Sequence, residues 1–156
     1  MNQIIKVVEN NVETKGEKMK LEFGSYSHNE AFARVVVSAF MARLDPTVEE
    51  LEDVKTAVSE AVTNAIIHGY KNTYGIVEIR GEIEENTIKI SIHDDGVGIE
   101  NIKKAMEPLY TGAKESERSG MGFSFMEAFM DEVEVLSKVG EGTTVVMKKT
   151  IGNRTV

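Results

Sequence analysis

The stretch SEAVTNAIIHGY, residues 59–70, has the pattern of an amphipathic helix whose polar side carries three different functional groups. Glu60, Asn64 and His68 follow one another at four-residue intervals, so at about 100° per residue they lie on one side of the helix. The apolar residues of the same helix fall on nearly the opposite arc. A polar stripe of this kind either faces water, as most do, or faces a ligand.

The sequence around this helix predicts an α+β domain with a mostly antiparallel sheet and with the helices on one face. Alternating apolar residues predict strands, and three- to four-residue spacing predicts helices. In chain order, the first predicted elements are a strand at 20–26, a helix opened by a capping box at Ser27 and Glu30, and a helix that runs to about Gly69. That second helix starts either at Asp45 and Pro46 or at Thr47 with Glu50. Strands at 75–84 and 87–94, a helix at 123–130, and strands at 132–138 and 143–150 follow.

The first predicted helix has one apolar face. The residues expected on that face are Phe32, Val35, Val36, Ala39 and Phe40.

Composition and charge limit the possible functions. A chain of 156 residues with 28% charged residues suits one soluble domain. The net charge of −8, with no basic cluster, argues against direct binding of nucleic acid. No apolar run reaches about 18 residues and no signal peptide is recognisable, so no membrane span is expected. The absence of cysteine excludes disulfides and fits a cytoplasmic location.

The two ends of the chain differ from its middle. Residues 1–18 lack sustained periodicity and are expected to be a flexible N-terminal extension, or sequence ahead of a second start at Met19. Residues 19–150 are expected to form the folded domain, and residues 151–156 a C-terminal tail.

Three glycine-containing segments are further candidates for a ligand site. HDDGVGIE, residues 93–100, follows a predicted strand, so its glycines let the backbone approach a ligand closely. RSGMGFSFM, residues 118–126, precedes a predicted helix, where free N–H groups and the helix dipole attract an anion. GEGTTV, residues 140–145, is a weaker signal. Taken singly, these segments also fit an acidic turn, a flexible loop and a hairpin turn.

The order of the motifs is more specific than any one of them. E-x-x-x-N on a helix is followed by D-x-G-x-G after a strand, G-x-G before a helix and G-T-T at a strand. This series resembles the nucleotide-binding fold shared by gyrase, Hsp90, sensor histidine kinases and the mismatch-repair ATPases, known as the GHKL or Bergerat fold. The resemblance implies a two-layer α/β sandwich with a mostly antiparallel mixed sheet, helices on one face and a mobile ATP lid.

The likeness narrows to one branch of that superfamily. FARVVVSAF, LDPT, VSEAVTNAIIHGY, DDGVGI, ERSGMGF and MDEVEVLSKVGEGTTV resemble the anti-sigma factors that control the sporulation sigma factor sigma-F. The resemblance covers residues 19 to about 150. It implies that the chain binds ATP or ADP together with Mg²⁺.

At the adenine end, the resemblance assigns Asp94 as the acceptor for the adenine amino group. Gly96 and Gly98 would let the following loop pass close to the base. Thr143 would assist at the same end, through a water molecule or directly.

At the phosphate end, the resemblance assigns Asn64 as the protein ligand of Mg²⁺. Residues 100–119 would form the lid, with Arg118 reaching the γ-phosphate. Gly120 and Gly122 would present backbone N–H groups to the phosphates.

The remaining polar residues of the opening helix take two roles. Glu60, one turn from Asn64, would accept the proton of an attacking serine hydroxyl. For His68, hydrogen bonding to the site and structural packing remain equally open.

The resemblance implies two functions in one chain. As a homodimeric binding protein it would hold sigma-F away from RNA polymerase. As a serine kinase it would phosphorylate and inactivate a small anti-anti-sigma protein. Arg34, on the helix that starts at Ser27, is a candidate for partner docking. The alternatives are an anti-sigma kinase of the general-stress branch and a detached histidine-kinase ATPase domain.

Overall fold

The computed structural model describes residues 16–107 and 117–152. Within them, five strands form one sheet. The strands are β1 (Glu17–Gly24), β2 (Ile76–Glu84), β3 (Thr87–Asp94), β4 (Glu132–Lys138) and β5 (Gly142–Thr150). Their order across the sheet is β1-β2-β3-β5-β4, and each neighbouring pair is antiparallel. The predicted α+β class and mostly antiparallel sheet are therefore confirmed.

Four α-helices accompany the sheet in the described part of the chain. A 3₁₀ turn, Ala42–Leu44, follows the first helix, and a π-helical turn, Ala65–Gly69, extends the second. The helices are α1 (Asn29–Met41), α2 (Val48–Asn64), the short α3 (Ile102–Ala105) and α4 (Glu117–Phe129). None of them is long and apolar enough to cross a membrane.

One face of the sheet carries the core. Buried and exposed side chains alternate along β2 and β3, and the cross-strand partners Ile79 and Ile92 are both buried. Val145, opposite Ile92, continues the same face into β5. Each fully buried side chain of this size contributes about 1.5–3 kcal/mol. Helix α2 adds its own buried face to the same cluster, namely Val54, Ala57, Val58, Ala61 and Val62.

The start of α2 follows one of the predicted alternatives. The Thr47 side chain accepts a hydrogen bond from the Glu50 N–H, and the Glu50 carboxylate accepts one from the Thr47 N–H. This capping box satisfies two N–H groups that the helix itself cannot.

The capping box predicted at Ser27 is wrong. His28 is the N-cap of α1, and it makes no side-chain capping bond. Glu30 contacts Arg34, with Nε and Oε1 2.8 Å apart, and accepts a hydrogen bond from Ser59 of α2. A tertiary contact between two helices has replaced the local one that the sequence pattern suggested.

The apolar face that the sequence predicts for α1 is only partly buried. Phe32 and Val35 are 49% and 67% exposed. The run of three valines at 35–37 allows two helical registers, and the fold uses the register that points Val37 inward. The residues of α1 that are buried are Ala33, Val37, Phe40 and Met41.

Helix α4 begins at Glu117, six residues before the predicted start at 123. Gly120 and Gly122 therefore lie within the helix, and the prediction that they precede it is wrong. Glycine weakens an isolated helix by about 1 kcal/mol relative to alanine, but packing can override that preference. Phe123 and Met126, both buried, supply the packing here.

The folded core reaches residues on both sides of the predicted 19–150 range. Strand β1 starts at Glu17, and Ile151 is buried. The Gly152 N–H also donates to the Glu50 carboxylate, with 2.9 Å between N and Oε2. The rest of the predicted extension, 1–15, and of the predicted tail, 153–156, lies outside the described residues.

Candidate nucleotide-binding site

A cavity of about 590 Å³ lies between helices α2, α3 and α4 and the adjoining ends of β3 and β5. Its wall is mostly apolar, with a few polar groups, as is common for pockets that hold a small ligand. Its volume lies within the range of about 300–1,000 Å³ that is usual for small-molecule pockets. Its lining includes the predicted residues Asn64, His68, Asp94, Gly98 and Thr143, together with Ala61, Ala65, Ile92, Phe123 and Val145.

Asp94 is a carboxylate buried at one end of this cavity. It ends β3 and is only 4% exposed. Burial raises the pKa of the Asp94 carboxyl, and the hydrogen bond from the Gly96 N–H partly opposes this rise. That bond joins the Gly96 nitrogen and Asp94 Oδ1 at 2.9 Å. A desolvated acceptor held in this way suits recognition of a hydrogen-bond donor on a ligand.

The segment after Asp94 passes close to the end of the π-helical turn. A Cβ at Gly96 would stand 2.1 Å from the Gly69 carbonyl oxygen, so only glycine fits there. Gly98 has a φ of +77°, a conformation that glycine adopts readily and other residues rarely do. Both glycines of the D-x-G-x-G motif are therefore required by backbone geometry.

The corner formed by Gly69 and Tyr70 holds the same segment from the α2 side. The Val97 N–H donates to the Gly69 carbonyl oxygen at 2.9 Å. The Asp95 N–H donates to the Tyr70 hydroxyl oxygen at 2.8 Å. A π-helical turn often marks a functional site, and here it places this corner against β3.

Thr143 lies beside Asp94 at the start of β5. The two residues are cross-strand partners, and Thr143 is 7% exposed. Its hydroxyl oxygen is 2.7 Å from the hydroxyl oxygen of Ser137, on the neighbouring strand β4. The adenine-end residues predicted from the sequence are thus brought together at one end of the cavity.

Glu60, Asn64 and Gly122 meet where α2 contacts α4. A Cβ at Gly122 would lie 3.2 Å from Asn64 Nδ2 and 3.3 Å from Glu60 Oε2. The Asn64 amide nitrogen is buried, and no hydrogen-bond partner for it occurs within residues 16–107 and 117–152. A buried donor without a partner is costly in a folded protein, so this amide is suited to a ligand.

His68 follows Asn64 by one turn and also lines the cavity. Burial lowers the pKa of its imidazole, and the positive charge of Lys71 lowers it further. No hydrogen bond of the His68 ring is found within the described parts of the chain. Hydrogen bonding to a ligand in the cavity and structural packing both stay predictions for His68.

Arg118 and Gly120 lie at the start of α4. The position of the Arg118 side chain is outside what the structure describes. The role predicted for Arg118 stays a prediction. The predicted lid, 100–119, includes α3, which contributes Lys104 and Ala105 to the cavity wall. Its residues 108–116 lie outside the described part of the chain.

Sequence reasoning missed three residues that hold the site together. Gly69 and Tyr70 close the opening helical stretch, and a glycine at a helix end could have indicated a close approach there. The Ser137 hydroxyl contacts two other segments, but a single serine in an alternating strand gives no signal in the sequence.

Comparison with known proteins gives the family. The model of the histidine kinase-like ATPase domain matches residues 26–149. A relative from Clostridium beijerinckii, named anti-sigma F factor, is 62% identical over 133 residues, covering 85% of this chain and 93% of the relative. Relatives of the same name from Clostridium acetobutylicum and Thermoanaerobacter sp. (strain X514) are each 59% identical, covering 85% and 86% of this chain and 92% and 94% of the relatives.

Solved structures show the same fold at low sequence identity. The RsbU and RsbW domains of Rv1364c from Mycobacterium tuberculosis match with a TM-score of 0.63 at 17% identity. That match covers 86% of this chain and 32% of the solved one. The catalytic domain of the histidine kinase ThkA matches with a TM-score of 0.54 at 14% identity, covering 85% of this chain and 96% of that domain.

The predicted resemblance is thereby confirmed, and membership of this domain family implies that the chain binds ATP. With about 60% identity to relatives of one name over most of its length, the chain belongs to the anti-sigma F factor family of the histidine kinase-like ATPase domains.

Proposed function

We propose that the protein binds Mg-ATP in this cavity, transfers the γ-phosphate to a serine of an anti-anti-sigma protein, and sequesters sigma-F. The observation that carries the proposal is that one cavity is lined by both Asp94 and Asn64. A buried acceptor, Asp94, stands at the sheet end, while Asn64 and Glu60 stand where α2 meets α4.

The chemistry of Asp94 supports adenine as the base of the bound nucleotide. Ionised Asp94 can only accept hydrogen bonds, and the exocyclic amino group of adenine donates them. Guanine presents a carbonyl oxygen at the corresponding position, so two acceptors would face each other. A site that leaves a buried acceptor unpaired discriminates strongly against the wrong ligand.

Asn64 supports Mg²⁺ bound together with the nucleotide. Its amide offers an oxygen to a cation and a buried N–H to an anionic oxygen, the pair of features that a magnesium phosphate needs. Within the described residues there is no cluster of three or more His, Cys, Asp or Glu side chains able to hold a metal. Mg²⁺ commonly relies on substrate phosphates, with few protein ligands, so one amide oxygen suffices.

Glu60 is the proposed general base. When the serine oxygen bonds to the γ-phosphorus, the bond to the leaving ADP oxygen breaks and the hydroxyl proton passes to the Glu60 carboxylate. The carboxylate lies one turn from Asn64 and next to Gly122, where the absence of a side chain leaves room beside it. Arg118 and Gly120 are proposed to contact the phosphates, with Arg118 as the cation on the γ-phosphate.

The outer surface of α1 is the proposed docking site for protein partners. Arg34 lies there, paired with Glu30, and Phe32 and Val35 are exposed on the same helix. Exposed apolar residues around an arginine are typical of interface centres. The names of the relatives support a sigma factor as one partner, and the RsbW-like neighbour supports an anti-anti-sigma protein as another.

A homodimer is part of the same proposal. The face of the sheet away from the helices is open, and Ile76 and Leu136 are exposed on it. Covering these apolar side chains with a second copy would remove them from water. A sedimentation experiment that gives the mass of one chain at micromolar concentration contradicts the dimer.

The alternatives differ in their partners. A general-stress anti-sigma kinase would use the same chemistry on another sigma factor, and a detached histidine-kinase domain would phosphorylate histidine. Identity of about 60% to anti-sigma F factors favours sigma-F over both.

The test is to incubate the protein with γ-labelled ATP and candidate partners. We expect label on a serine of the anti-anti-sigma protein and a stable complex with sigma-F. Label on histidine, or binding to a general-stress sigma factor in preference to sigma-F, would replace the proposal with an alternative.

A further inference from the structure

One hydroxyl group on β4 links the loop after β3 to the start of β5. Ser137 Oγ accepts a hydrogen bond from the Ile99 N–H, with 2.7 Å between N and O. The same oxygen is 3.0 Å from the Gly142 carbonyl oxygen and 2.7 Å from Thr143 Oγ1. All three contacts have normal hydrogen-bond lengths.

The single proton of this hydroxyl restricts what Thr143 can do. A serine hydroxyl has one proton to donate and two lone pairs that accept. If Ser137 donates to the Gly142 carbonyl, Thr143 must donate to Ser137, and only lone pairs of Thr143 remain for a ligand. If Ser137 donates to Thr143, the Thr143 proton is available instead. The first arrangement keeps the hydrogen bond from Ser137 to the Gly142 carbonyl, and in it Ser137 fixes the direction of the Thr143 hydroxyl.

Ser137 is itself fully engaged by protein groups. Its contacts go to Ile99, Gly142 and Thr143, and it is not one of the residues that line the cavity. Thr143 and Ile99, by contrast, both line the cavity. Any effect of Ser137 on a ligand must therefore pass through these two neighbours.

We propose that Ser137 is a positioning residue for nucleotide binding, which orients the Thr143 hydroxyl and anchors Ile99 at the base-binding end of the cavity. The inference rests on the proposed function, because it assumes that adenine lies against Asp94 and Thr143. Preorganised polar groups bind a ligand better, since they need no ordering when it arrives.

The position of Ser137 predicts which step it affects. Thr143 is the cross-strand partner of Asp94, at the sheet end of the cavity, whereas Glu60 and Asn64 lie where α2 meets α4. Ser137→Ala should therefore weaken ATP and ADP binding by the same factor, roughly tenfold, as expected for loss of a buried hydrogen-bond partner. The rate of phosphotransfer at saturating ATP should stay within about twofold of the parent.

Calorimetry with ADP and with ATP on five folded variants tests the inference. Ser137→Ala should bind both nucleotides more weakly, and Ser137→Thr, which keeps the hydroxyl, should restore binding. Ser91→Ala, on the opposite face of the same sheet, should bind like the parent. In a Thr143→Val background the further loss from Ser137→Ala should shrink to about threefold or less, because its main route is already gone. If Ser137→Ala does not fold, Ser137→Cys replaces it with the same expectations.

The outcomes distinguish this inference from the function on which it rests. If the parent binds neither ADP nor ATP, the proposed function fails. If the parent binds both, and Ser137→Ala binds them equally well or loses the same factor with and without Thr143, the positioning role is wrong while the proposed function stands. A fall in phosphotransfer at saturating ATP with unchanged affinity would also overturn it.

Discussion

At the scale of single residues, the buried carboxylate of Asp94 is the group on which base recognition depends. Replacing it by asparagine can turn an N–H group toward the adenine amino group, so that two donors face each other. Asp94→Asn should weaken ADP binding by about 1–3 kcal/mol, the usual cost of an unmet buried hydrogen bond. Calorimetry on the folded variant measures this loss.

Asp95→Asn is the matched control for this measurement, because Asp95 is exposed and pairs with His93. Equal affinity in Asp94→Asn and the parent would refute the assignment.

His68 gives a prediction about pH. Burial and the charge of Lys71 lower the pKa of the folded-state imidazole, whereas the unfolded chain has a histidine pKa of about 6.5. The unfolded state therefore binds more protons, and the folded state loses stability as the pH falls below about 6.5. Above that pH the residue has no such effect.

Urea unfolding at about pH 7.5 and about pH 5.5, on either side of the unfolded-state pKa, measures the effect. His68→Gln should lose less stability than the parent between the two conditions. His28→Gln, at an exposed position, should lose as much as the parent. A parent and a His68→Gln variant with the same pH dependence would mean that His68 titrates alike in both states.

At the scale of elements, the contact between α2 and α4 sets the shape of the phosphate end. A methyl group at Gly122 would come within 3.2–3.4 Å of atoms of Asn64 and Glu60. Alanine favours the helix over glycine by about 1 kcal/mol, which offsets the crowding in the folded chain. Gly122→Ala should therefore remain folded, with phosphotransfer reduced by about tenfold because Asn64 and Glu60 must shift by a few tenths of an ångström to admit the methyl group.

Thermal unfolding and a transfer assay, run on the same preparation, test this prediction. Retained stability with reduced transfer supports the proposed role of this contact. Transfer at the parental rate would mean that the space beside Gly122 is not needed by the substrate.

The same elements show how far sequence patterns reach. The capping box of α2 is local chemistry between Thr47 and Glu50, and it was among the predicted starts. The early start of α4 and the register of α1 depend on packing against other elements, which periodicity alone cannot weigh. The observed register of α1 bears on the proposed docking site, because it leaves Phe32 and Val35 on the surface of the helix that carries Arg34.

At the scale of the whole molecule, the order of the motifs predicts the family. The residues that hold the cavity-lining segments in place depend on long-range contacts. Three residues, Asn64, Asp94 and Thr143, belong to motifs that can be recognised in the sequence, and all three line one cavity in the fold. Tyr70 and Ser137 act through partners 25 and 38 residues away in the chain. Contacts between residues so far apart along the chain depend on how the strands and helices come together, and no local sequence pattern indicates them.

One domain is proposed to carry both sequestration and kinase activity, and Glu60 allows the two to be separated. Glu60→Gln keeps the size of the side chain but removes the proton acceptor. The most direct test compares this variant with the parent for transfer of γ-label from ATP to the anti-anti-sigma protein, alongside ATP affinity and sigma-F binding. We predict that transfer falls by roughly 10²- to 10⁴-fold while both binding activities persist. Parental transfer rates, or a joint loss of transfer and ATP binding, would contradict the account of Glu60 as the base in a nucleotide-dependent kinase.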